Sequence, residues 1–379
     1  MSRKYKIAVL PGDGIGKDVT DAAMKILDAV GFSEKAEYKW GDIGWEFWCK
    51  EGNPLPDRTI VLLEQSDCAL FSAITSKPKD EAAKELVPEL QDKGLVYFSP
   101  IVKLRQLFDL YINLRPCKAY SGNPINYRDD LDLVVFRENT EGLYVGIEWH
   151  PVPEVVMKTI IENHPKAKRF EGANLDDIAI STRIFTRKGV QRILKASMDY
   201  AKEYGYPTVT VVEKPNVIRE TSGLMIREAR KLVKKYEGIE LWETNIDAMA
   251  MWLVKNPQNY GVLVASNMFG DIVSDLCAQL IGGLGFACSG NIGENFAVFE
   301  PTHGSAPKYA GMNKVNPIAQ ILAAKMMLDW LGEKEIAKKI DSAVAAVIAE
   351  GLVRTYDMKG SSTTSEMADA ICEKIRTQD

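Results

Sequence analysis

The sequence predicts an α/β protein with two domains, and three observations support this prediction. First, 379 residues are more than one ordinary hydrophobic core uses, so two domains are expected. Second, short apolar runs typical of buried strands alternate with segments of helical periodicity. Third, the first of these runs, 7–10, enters a glycine turn at 11–16 that opens a helix. A sheet covered by helices is the architecture that this order favours.

The composition excludes several classes of protein. Apolar residues make up 46% of the chain and charged residues 26%, as in globular proteins. The net charge of -5 and the lack of a basic arm argue against nucleic acid or an anionic membrane as the main partner. An anionic small ligand would therefore need a local group of cations.

The N-terminal stretch and the cysteines indicate the compartment. Residues 1–6 run directly into the first strand without an apolar signal core, and no window is long and apolar enough to span a membrane. The six cysteines have no metal-ligand spacing and form no dense framework, so buried free thiols are expected. We therefore predict a cytoplasmic protein without a membrane partner.

The glycine turn at 11–16 raises the alternative of a Rossmann fold, which also opens with a strand, a glycine turn and a helix. The Rossmann fingerprint is Gly-x-Gly-x-x-Gly, and here the third spacing fails. No acidic residue plainly closes a following strand to hold a ribose. We interpret the turn as structural, or as a cofactor-side loop of another fold.

Three arginines lie at or near the ends of apolar segments in one short region. A second buried strand, 68–74, and a charged surface segment, 79–93, come before Arg105, Arg115 and Arg137. Each arginine alone would most often form a surface ion pair. Three of them following buried segments indicate a cluster for a polyanionic small molecule, which guanidinium groups bind bidentately.

The middle of the chain is less regular. From 145 to 189 prolines and charges interrupt the pattern, which predicts a projecting segment with His150 and His164 on its surface. The strand 208–212 then leads to Lys214. A lysine in this position is more often a surface residue with a buried stem, but it can also be a base whose pKa nearby charges lower.

Two carboxylates follow the buried apolar run 260–265. Asp271 and Asp275 are four residues apart, so on a helix they share one face and repel each other unless a positive group lies between them. A hard cation such as Mg²⁺ or Mn²⁺ takes carboxylate oxygens readily. The alternative is a solvated helix face near a helix start, and this stretch alone favours that alternative. Asp247, which opens another helix, is a third candidate ligand.

The rest of the chain supplies a hinge, a loop and a helical end. Residues 280–285 are a glycine-rich joint, and 300–309 are predicted as a polar loop. A helix is predicted over 318–331 and two more over 333–378.

Four motifs together resemble the β-decarboxylating dehydrogenases, the isocitrate, homoisocitrate and isopropylmalate dehydrogenase family. They are the glycine turn 11–16, the stretch 136–144, the helix start 270–275 and the loop 300–307. The resemblance covers essentially the whole chain. It implies a three-layer α/β/α fold of two domains that is not Rossmann. The large, cofactor-side domain would comprise 1–110 and 282–379, and the small domain 111–281, with an arm at about 145–189 that clasps a second subunit.

The resemblance also implies a role for each candidate site residue. Mg²⁺ or Mn²⁺ would be held by Asp247, Asp271 and Asp275 and would ease deprotonation of the substrate hydroxyl. Substrate carboxylates would be held by Arg105, Arg115 and Arg137, with Ser99 beside the distal one. Lys214 would be the base and Tyr144 the acid that returns a proton to C3. The implied cofactor-binding residues are Thr75, Asn216, His303, Gly304, Lys308, Tyr309, Val315, Asn316 and Tyr356.

The resemblance indicates a preferred cofactor and a preferred substrate, and it leaves alternatives open for both. NADP is expected, because Lys308 and Tyr309 stand where NAD-using relatives carry an acidic residue. NAD is the alternative, because Gly360 replaces an arginine expected four residues after Tyr356. Isocitrate is preferred over homoisocitrate although Ile101 replaces the asparagine usual in isocitrate enzymes, and isopropylmalate suits the polar pocket least.

Two further expectations concern assembly. The family resemblance implies a homodimer whose active sites combine Lys214 and Asp247 of one chain with the arginines, Asp271 and Asp275 of the other. A non-catalytic regulatory subunit of a hetero-oligomer is the alternative from another class. The complete set of site residues favours an active enzyme.

Overall fold

The protein is built around a mixed sheet of ten strands, with a separate two-stranded ribbon. The structure is a computed structural model that describes residues 3–377. Met1 and Ser2 of the N-terminal stretch and Gln378 of the predicted last helical region therefore lie outside the described residues. Within residues 3–377, no helix is both long and apolar enough to cross a membrane.

Strands and helices alternate along much of the chain. The strands are β1 (Tyr5–Gly12), β2 (Ala36–Trp40), β3 (Cys68–Ala73), β4 (Ile112–Lys118), β5 (Asp132–Glu138), β6 (Glu148–Trp149), β7 (Ile180–Ser181), β8 (Thr208–Glu213), β9 (Glu240–Asn245), β10 (Val262–Ala265), β11 (Cys288–Ile292) and β12 (Ala297–Pro301). The helices are α1 (Gly16–Ala29), α2 (Trp45–Glu51), α3 (Asp57–Glu64), α4 (Lys79–Lys84), α5 (Pro88–Gln91), α6 (Pro100–Leu107), α7 (Glu154–Asn163), α8 (Arg187–Tyr204), α9 (Thr221–Leu232), α10 (Ile246–Lys255), α11 (Asn267–Leu280), α12 (Ile318–Trp330), α13 (Lys334–Glu350) and α14 (Thr364–Thr377).

The strand order of the sheet is β2-β1-β3-β12-β11-β4-β5-β10-β8-β9. β11 runs antiparallel to both of its neighbours, β12 and β4, and β4 runs antiparallel to β5. The strands on either side of this centre pair in parallel. Strands from the two ends of the chain thus occupy one half of the sheet, and strands from 112–265 occupy the other. The division into domains at 110 and 281 stays a prediction.

The central strands are buried on both faces, because helices cover the sheet on both sides. Every residue of β3, β8 and β10 is buried, which explains the nearly continuous apolar runs of β3 and β10. The largest apolar cluster packs β1, β3 and β5 against α1 and α11–α14. A second cluster packs β5, β8 and β10 against α8 and α9. Nearly every residue of α12 is buried, so this helix has no polar face.

The structure confirms the strands predicted at 7–10, 68–74 and 208–212 and the helix that carries Asp271 and Asp275. His150 and His164 are exposed as predicted, and all six cysteines are free, with Cys49 only half-buried.

Two interpretations were wrong in part. The segment 145–189 is not irregular throughout, since it contains α7 and pairs β6 with β7. The loop predicted from 300 begins two residues later, because Glu300 and Pro301 pair with β11. Short elements of this kind carry little periodicity, so the pattern of residues hides them.

Candidate active site

The three predicted arginines converge on the antiparallel centre of the sheet. Arg115 lies on β4 and Arg137 on the adjacent β5, while Arg105 comes from the last turn of α6. All three are buried, and Arg137 is only 2% exposed. Burial is the first cause, and the neighbouring arginines the next, of the fall in the pKa of Arg137 to about 9. Like charges held together out of water indicate a site for an anion.

Asp271 and Asp275 face this cluster from α11. Arg115 bridges the two carboxylates, with its Nη2 3.3 Å from Asp271 and its Nη1 3.0 Å from Asp275. Arg137 pairs with Asp271 as well. The helix approaches closely because residue 270 is glycine: a Cβ there would lie 2.7 Å from the Cβ of Arg137. The positive group that the two aspartates require is therefore partly supplied by the chain itself.

Tyr144 completes this group of side chains. Its hydroxyl donates a hydrogen bond of 3.0 Å to Asp271, and the guanidinium of Arg137 lies 5.3 Å from its ring centroid. Burial, followed by the charge of Asp271, raises the pKa of Tyr144. The phenol therefore stays protonated at neutral pH and can act as a proton donor.

A buried polar network beneath the arginines was missed in the sequence. The side-chain oxygen of Asn291 accepts hydrogen bonds from Arg105 and Asn113, each of 2.9 Å. Glu300 accepts from Arg105 at 3.3 Å and from the Asn291 amide at 2.6 Å. Glu300 could have been found from the sequence, because it belongs to the motif 300–307. Asn291 could not, because it lies on β11, a strand without alternating polarity. The β11–β12 hairpin thus fixes Arg105.

Lys214 and Asp247 form a separate pair. Lys214 follows β8, Asp247 lies in the first turn of α10, and the two side chains are joined by an ion pair. The hydrogen bond from Lys214 lowers the pKa of Asp247. Within residues 3–377 no hydrogen bond or ion pair joins this pair to the arginines, and no three His, Cys, Asp or Glu side chains gather as a metal site. A three-aspartate metal site within one chain is thus not formed.

A buried ion pair links the two groups. Glu213, the residue before Lys214, is fully buried and accepts hydrogen bonds from Arg183 at 3.0 Å and from the backbone N–H of Ser266 at 3.0 Å. Ser266 is the residue directly before α11. Arg183 also stacks on Phe185 and Phe269. The carboxylate of Glu213 therefore holds the end of β8 against the start of the helix that carries Asp271.

A cavity of about 610 Å³ lies beside the glycine-rich joint. Its wall includes five of the predicted cofactor-binding residues: His303, Gly304, Val315, Asn316 and Tyr356. Four more lining residues, 282–285, belong to the joint itself. Ile15 and Asp357 also line the cavity but were not predicted as cofactor-binding residues. A cavity of this size accommodates a large organic ligand.

His303 shows that this cavity suits a polar ligand. Its Nε2 is buried without a hydrogen-bond partner in the described part of the chain, while its Nδ1 lies 3.0 Å from the carbonyl of Gly304. Burial lowers the pKa of His303, so the imidazole is neutral at pH 7. A buried polar atom without a partner is costly, and a bound ligand would satisfy it.

The other predicted cofactor-binding residues lie at the edge of the cavity or away from it. Tyr309 stacks on Tyr356 with ring centroids 5.7 Å apart, and the ammonium of Lys308 lies 4.8 Å from the Tyr309 ring. Thr75 follows β3, where its hydroxyl lies 2.7 Å from that of Ser305. Asn216 is exposed in the turn after β8 and is not part of the cavity wall.

The first glycine turn supports the cavity. Gly12 and Gly14 both have positive φ, and a Cβ on either would lie about 2 Å from a backbone carbonyl, that of Ala73 or Ser305. Asp13, between them, accepts backbone hydrogen bonds from Trp45 and Thr75. The turn is therefore structural, and through Ile15 it is also part of the cavity wall.

Ser99, the residue predicted beside the distal substrate carboxylate, is half-buried directly before α6.

Comparison with known proteins agrees with this geometry. The family model described as isocitrate/isopropylmalate dehydrogenase matches residues 6–371. Protein DlpA of Legionella pneumophila is 40% identical over 97% of the chain, which spans only 58% of that relative's length. The 3-isopropylmalate/3-methylmalate dehydrogenase of Methanocaldococcus jannaschii is 38% identical over 99% of this chain and 100% of its own. The isocitrate/homoisocitrate dehydrogenase of Thermus thermophilus is 37% identical, over 98% and 99%.

A solved structure confirms the predicted fold. The isocitrate dehydrogenase from Methylococcus capsulatus superposes with a TM-score of 0.83 at 37% sequence identity, over 98% of this chain and 99% of that one. The mixed sheet between helices is thus the fold of these enzymes and not a Rossmann fold. Family match, full-length relatives and fold agree, so the chain belongs to the isocitrate/isopropylmalate dehydrogenase family of NAD(P)-dependent decarboxylating dehydrogenases.

Proposed function

We propose that the protein oxidatively decarboxylates isocitrate to 2-oxoglutarate with reduction of NADP, as a cytoplasmic homodimer with shared active sites. One observation carries the proposal: Arg105, Arg115 and Arg137 are buried together at the centre of the sheet, beside Asp271 and Asp275. Three guanidinium groups in one place suit a substrate with several carboxylates.

Charge separates isopropylmalate from the other two substrates of the family. Isocitrate and homoisocitrate carry three carboxylates, whereas isopropylmalate carries two and needs an apolar pocket. Ile101, which replaces the usual asparagine, packs into an apolar cluster with Leu104 and Leu110 and so provides no polar contact. Homoisocitrate therefore stays the second candidate.

The donor set suits the divalent cation that the family uses. Asp271 and Asp275 offer carboxylate oxygens, the ligands that Mg²⁺ and Mn²⁺ prefer. Asp247 would join them from a second copy of the chain. When bound, the cation supplies a Lewis acid that polarises the substrate's C2 hydroxyl and favours the charged form of the product enol.

The remaining steps belong to side chains of the protein. The arginines hold the carboxylates so that the C2 hydrogen points at the nicotinamide. Lys214, as the neutral amine, accepts the proton of the C2 hydroxyl as hydride passes from C2 to the nicotinamide. The C3 carboxylate departs as carbon dioxide, and the Tyr144 hydroxyl, kept protonated by its raised pKa, returns a proton to C3.

The 610 Å³ cavity is the proposed cofactor site, and its edge favours NADP. Lys308 lies beside the stacked Tyr309 and Tyr356, where a 2′-phosphate would meet positive charge. Lys308→Asp removes this charge and adds a repulsive one. We expect the ratio of kcat/KM for NADP to that for NAD to fall about 100-fold, with Lys338→Asp on the distant α13 as the control.

A dimer is favoured by the surface around the Lys214–Asp247 pair. Met251 and Val254 of α10 and Ile272 of α11 are each about half exposed, next to Asp247 and Asp275. Exposed apolar side chains so close together indicate a protein interface. Members of this family commonly act as dimers.

The direct test is an assay of the purified chain with Mg²⁺. Isocitrate, homoisocitrate and 3-isopropylmalate are each offered with NADP and with NAD, and kcat/KM is measured from absorbance at 340 nm. The proposal expects isocitrate with NADP to give the highest value. A higher value for another acid corrects the substrate, a higher value with NAD corrects the cofactor, and no turnover with any pair favours a regulatory subunit.

A further inference from the structure

The geometry points to Lys314 as a second lysine that binds the 2′-phosphate of NADP and determines cofactor preference. This inference rests on the proposed function and adds a residue to it. The ammonium of Lys314 lies 5.8 Å from the ring centroid of Tyr309 and 5.4 Å from that of Tyr356. The ammonium of Lys308 lies against the Tyr309 ring of the same pair. Two cations therefore share one aromatic platform.

This platform continues the wall of the cavity. Tyr356 lines the cavity directly, and so does Val315, the residue after Lys314. Tyr309 packs with Ile15 and Val315 in a small apolar cluster at the same place. A ligand whose body fills the cavity would thus bring a substituent past Tyr356 to the two ammonium groups.

Neither ammonium group has a carboxylate partner among the residues that the structure describes. The contacts that the structure gives Lys308 and Lys314 within residues 3–377 are those with the aromatic rings. The nearby carboxylates are engaged elsewhere: Asp357 accepts from Asn316 at 3.0 Å, and Asp18 from the backbone N–H of Gly311 at 2.8 Å. Uncompensated positive charge at the end of a cavity attracts an anion, and a phosphate dianion offers the strongest partner.

The backbone on both sides of Lys314 is held in place. Asn313, with positive φ, binds the backbone N–H and the hydroxyl of Ser365 through its side chain. The carbonyl of Val315 accepts a hydrogen bond of 2.6 Å from the hydroxyl of Thr364. Both anchors belong to the start of α14. Lys314 therefore projects from a fixed position, which reduces the entropy lost when it binds a ligand.

A purely structural role is the competing explanation, in which the rings only support the stem of an exposed lysine. The two explanations differ in one property. A structural lysine affects NADP and NAD alike, whereas a lysine that contacts the 2′-phosphate affects NADP alone, because the two molecules differ only in that group.

The test is direct binding, measured by isothermal titration calorimetry with the full chain and with NADP and NAD as separate probes. Lys314→Gln should weaken NADP about 10-fold and NAD less than about 2-fold, since one charge-assisted contact is lost. Lys314→Arg should restore most of the affinity for NADP. Lys338→Gln, an exposed lysine of α13 without a ring contact, removes the same charge and should change neither constant.

Two results would overturn the inference while leaving the proposed function intact. In both, the wild-type chain prefers NADP, but Lys314→Gln either binds it normally or loses both cofactors equally. If the wild-type chain binds NAD as tightly as NADP, there is no 2′-phosphate site, and both the inference and the NADP assignment are wrong.

Discussion

The arginine cluster and the Lys214–Asp247 pair are both charged, but they differ in how completely the chain satisfies them. Arg105, Arg115 and Arg137 are buried and each meets a carboxylate or an amide of the same chain. Asp247 has 68% of its side chain exposed, and its ion pair with Lys214 is the contact that holds it. The first region is preassembled within one chain, whereas the second is open.

The difference supports the proposal that one chain contains two halves of different active sites. A buried group of cations must be balanced within the chain, because an uncompensated charge out of water is costly. The charges of an exposed ion pair are solvated by water, so they need no further compensation within the chain and are free to contact a second chain. In the proposed dimer, a second copy would cover the exposed apolar residues near this pair, Met251, Val254 and Ile272.

The largest expected effects come from replacing one aspartate in each region, because both changes should reduce activity but only one should reduce stability. Asp271→Asn and Asp247→Asn should each lower kcat about 1,000-fold, since each removes an anionic ligand from a hard cation. Asp271→Asn should also lower the free energy of unfolding by about 2 kcal/mol, because two buried arginines lose their charged partner. Asp247→Asn should leave it unchanged.

kcat is measured at saturating Mg²⁺, and the free energy of unfolding is measured by urea denaturation. Calorimetric titration with Mn²⁺ shows whether each variant has lost affinity for the cation. Asp21→Asn on α1, an exposed carboxylate paired with Lys17, is the matched control. Full activity of Asp271→Asn in chelator-treated protein would contradict the metal assignment. Equal destabilisation by both variants would contradict the contrast between a buried and an open region.

The second prediction concerns the link between the regions. Arg183→Met leaves Glu213 charged, buried and without its ion pair, so we expect urea unfolding to show a loss of about 3 kcal/mol. Arg183→Met combined with Glu213→Gln should recover part of it, because no buried charge is then unpaired. A single variant as stable as the wild type would mean that Glu213 does not hold β8 against α11.

The smallest of these effects lies within the preassembled site. Glu300→Gln keeps the shape of the side chain but removes the charge that faces Arg105, so Arg105 is held less firmly. We expect KM for the substrate to rise about 10-fold with kcat nearly unchanged, as for a contact used mainly in binding. A fall in kcat with unchanged KM would instead place Glu300 in the chemical step.

The sequence allowed most of the fold to be predicted where the pattern was long or strongly apolar. β3 and β8 are rich in apolar and β-branched residues and were predicted close to their observed bounds, whereas α11 was predicted only as the helix that carries Asp271 and Asp275. The hairpin of β11 and β12 and the helix α7 were missed, because their residues mix polar and apolar side chains and depend on neighbours distant in sequence.

The site was predictable in its charged residues but not in the groups that hold them. Arg115 and Arg137 follow apolar runs and were found as candidates from that position alone. Asn291 and Arg183 carry no local signal, because the partners that give them importance, Arg105 and Glu213, lie 186 and 30 residues away in the sequence. Glu213 was visible only as the neighbour of Lys214, and its partners Arg183, Ser222 and Ser266 come from three separate segments.

The most direct test of the shared site is complementation between two inactive chains. Lys214→Met and Arg115→Ala are purified separately and co-refolded, and mixed dimers are identified by different affinity tags. If each site combines both regions across the two-fold axis, a mixed dimer carries both lesions in one site and none in the other. We predict about half of the wild-type kcat per mixed dimer. No activity in mixed dimers that are shown to form would mean that each site is built within one chain.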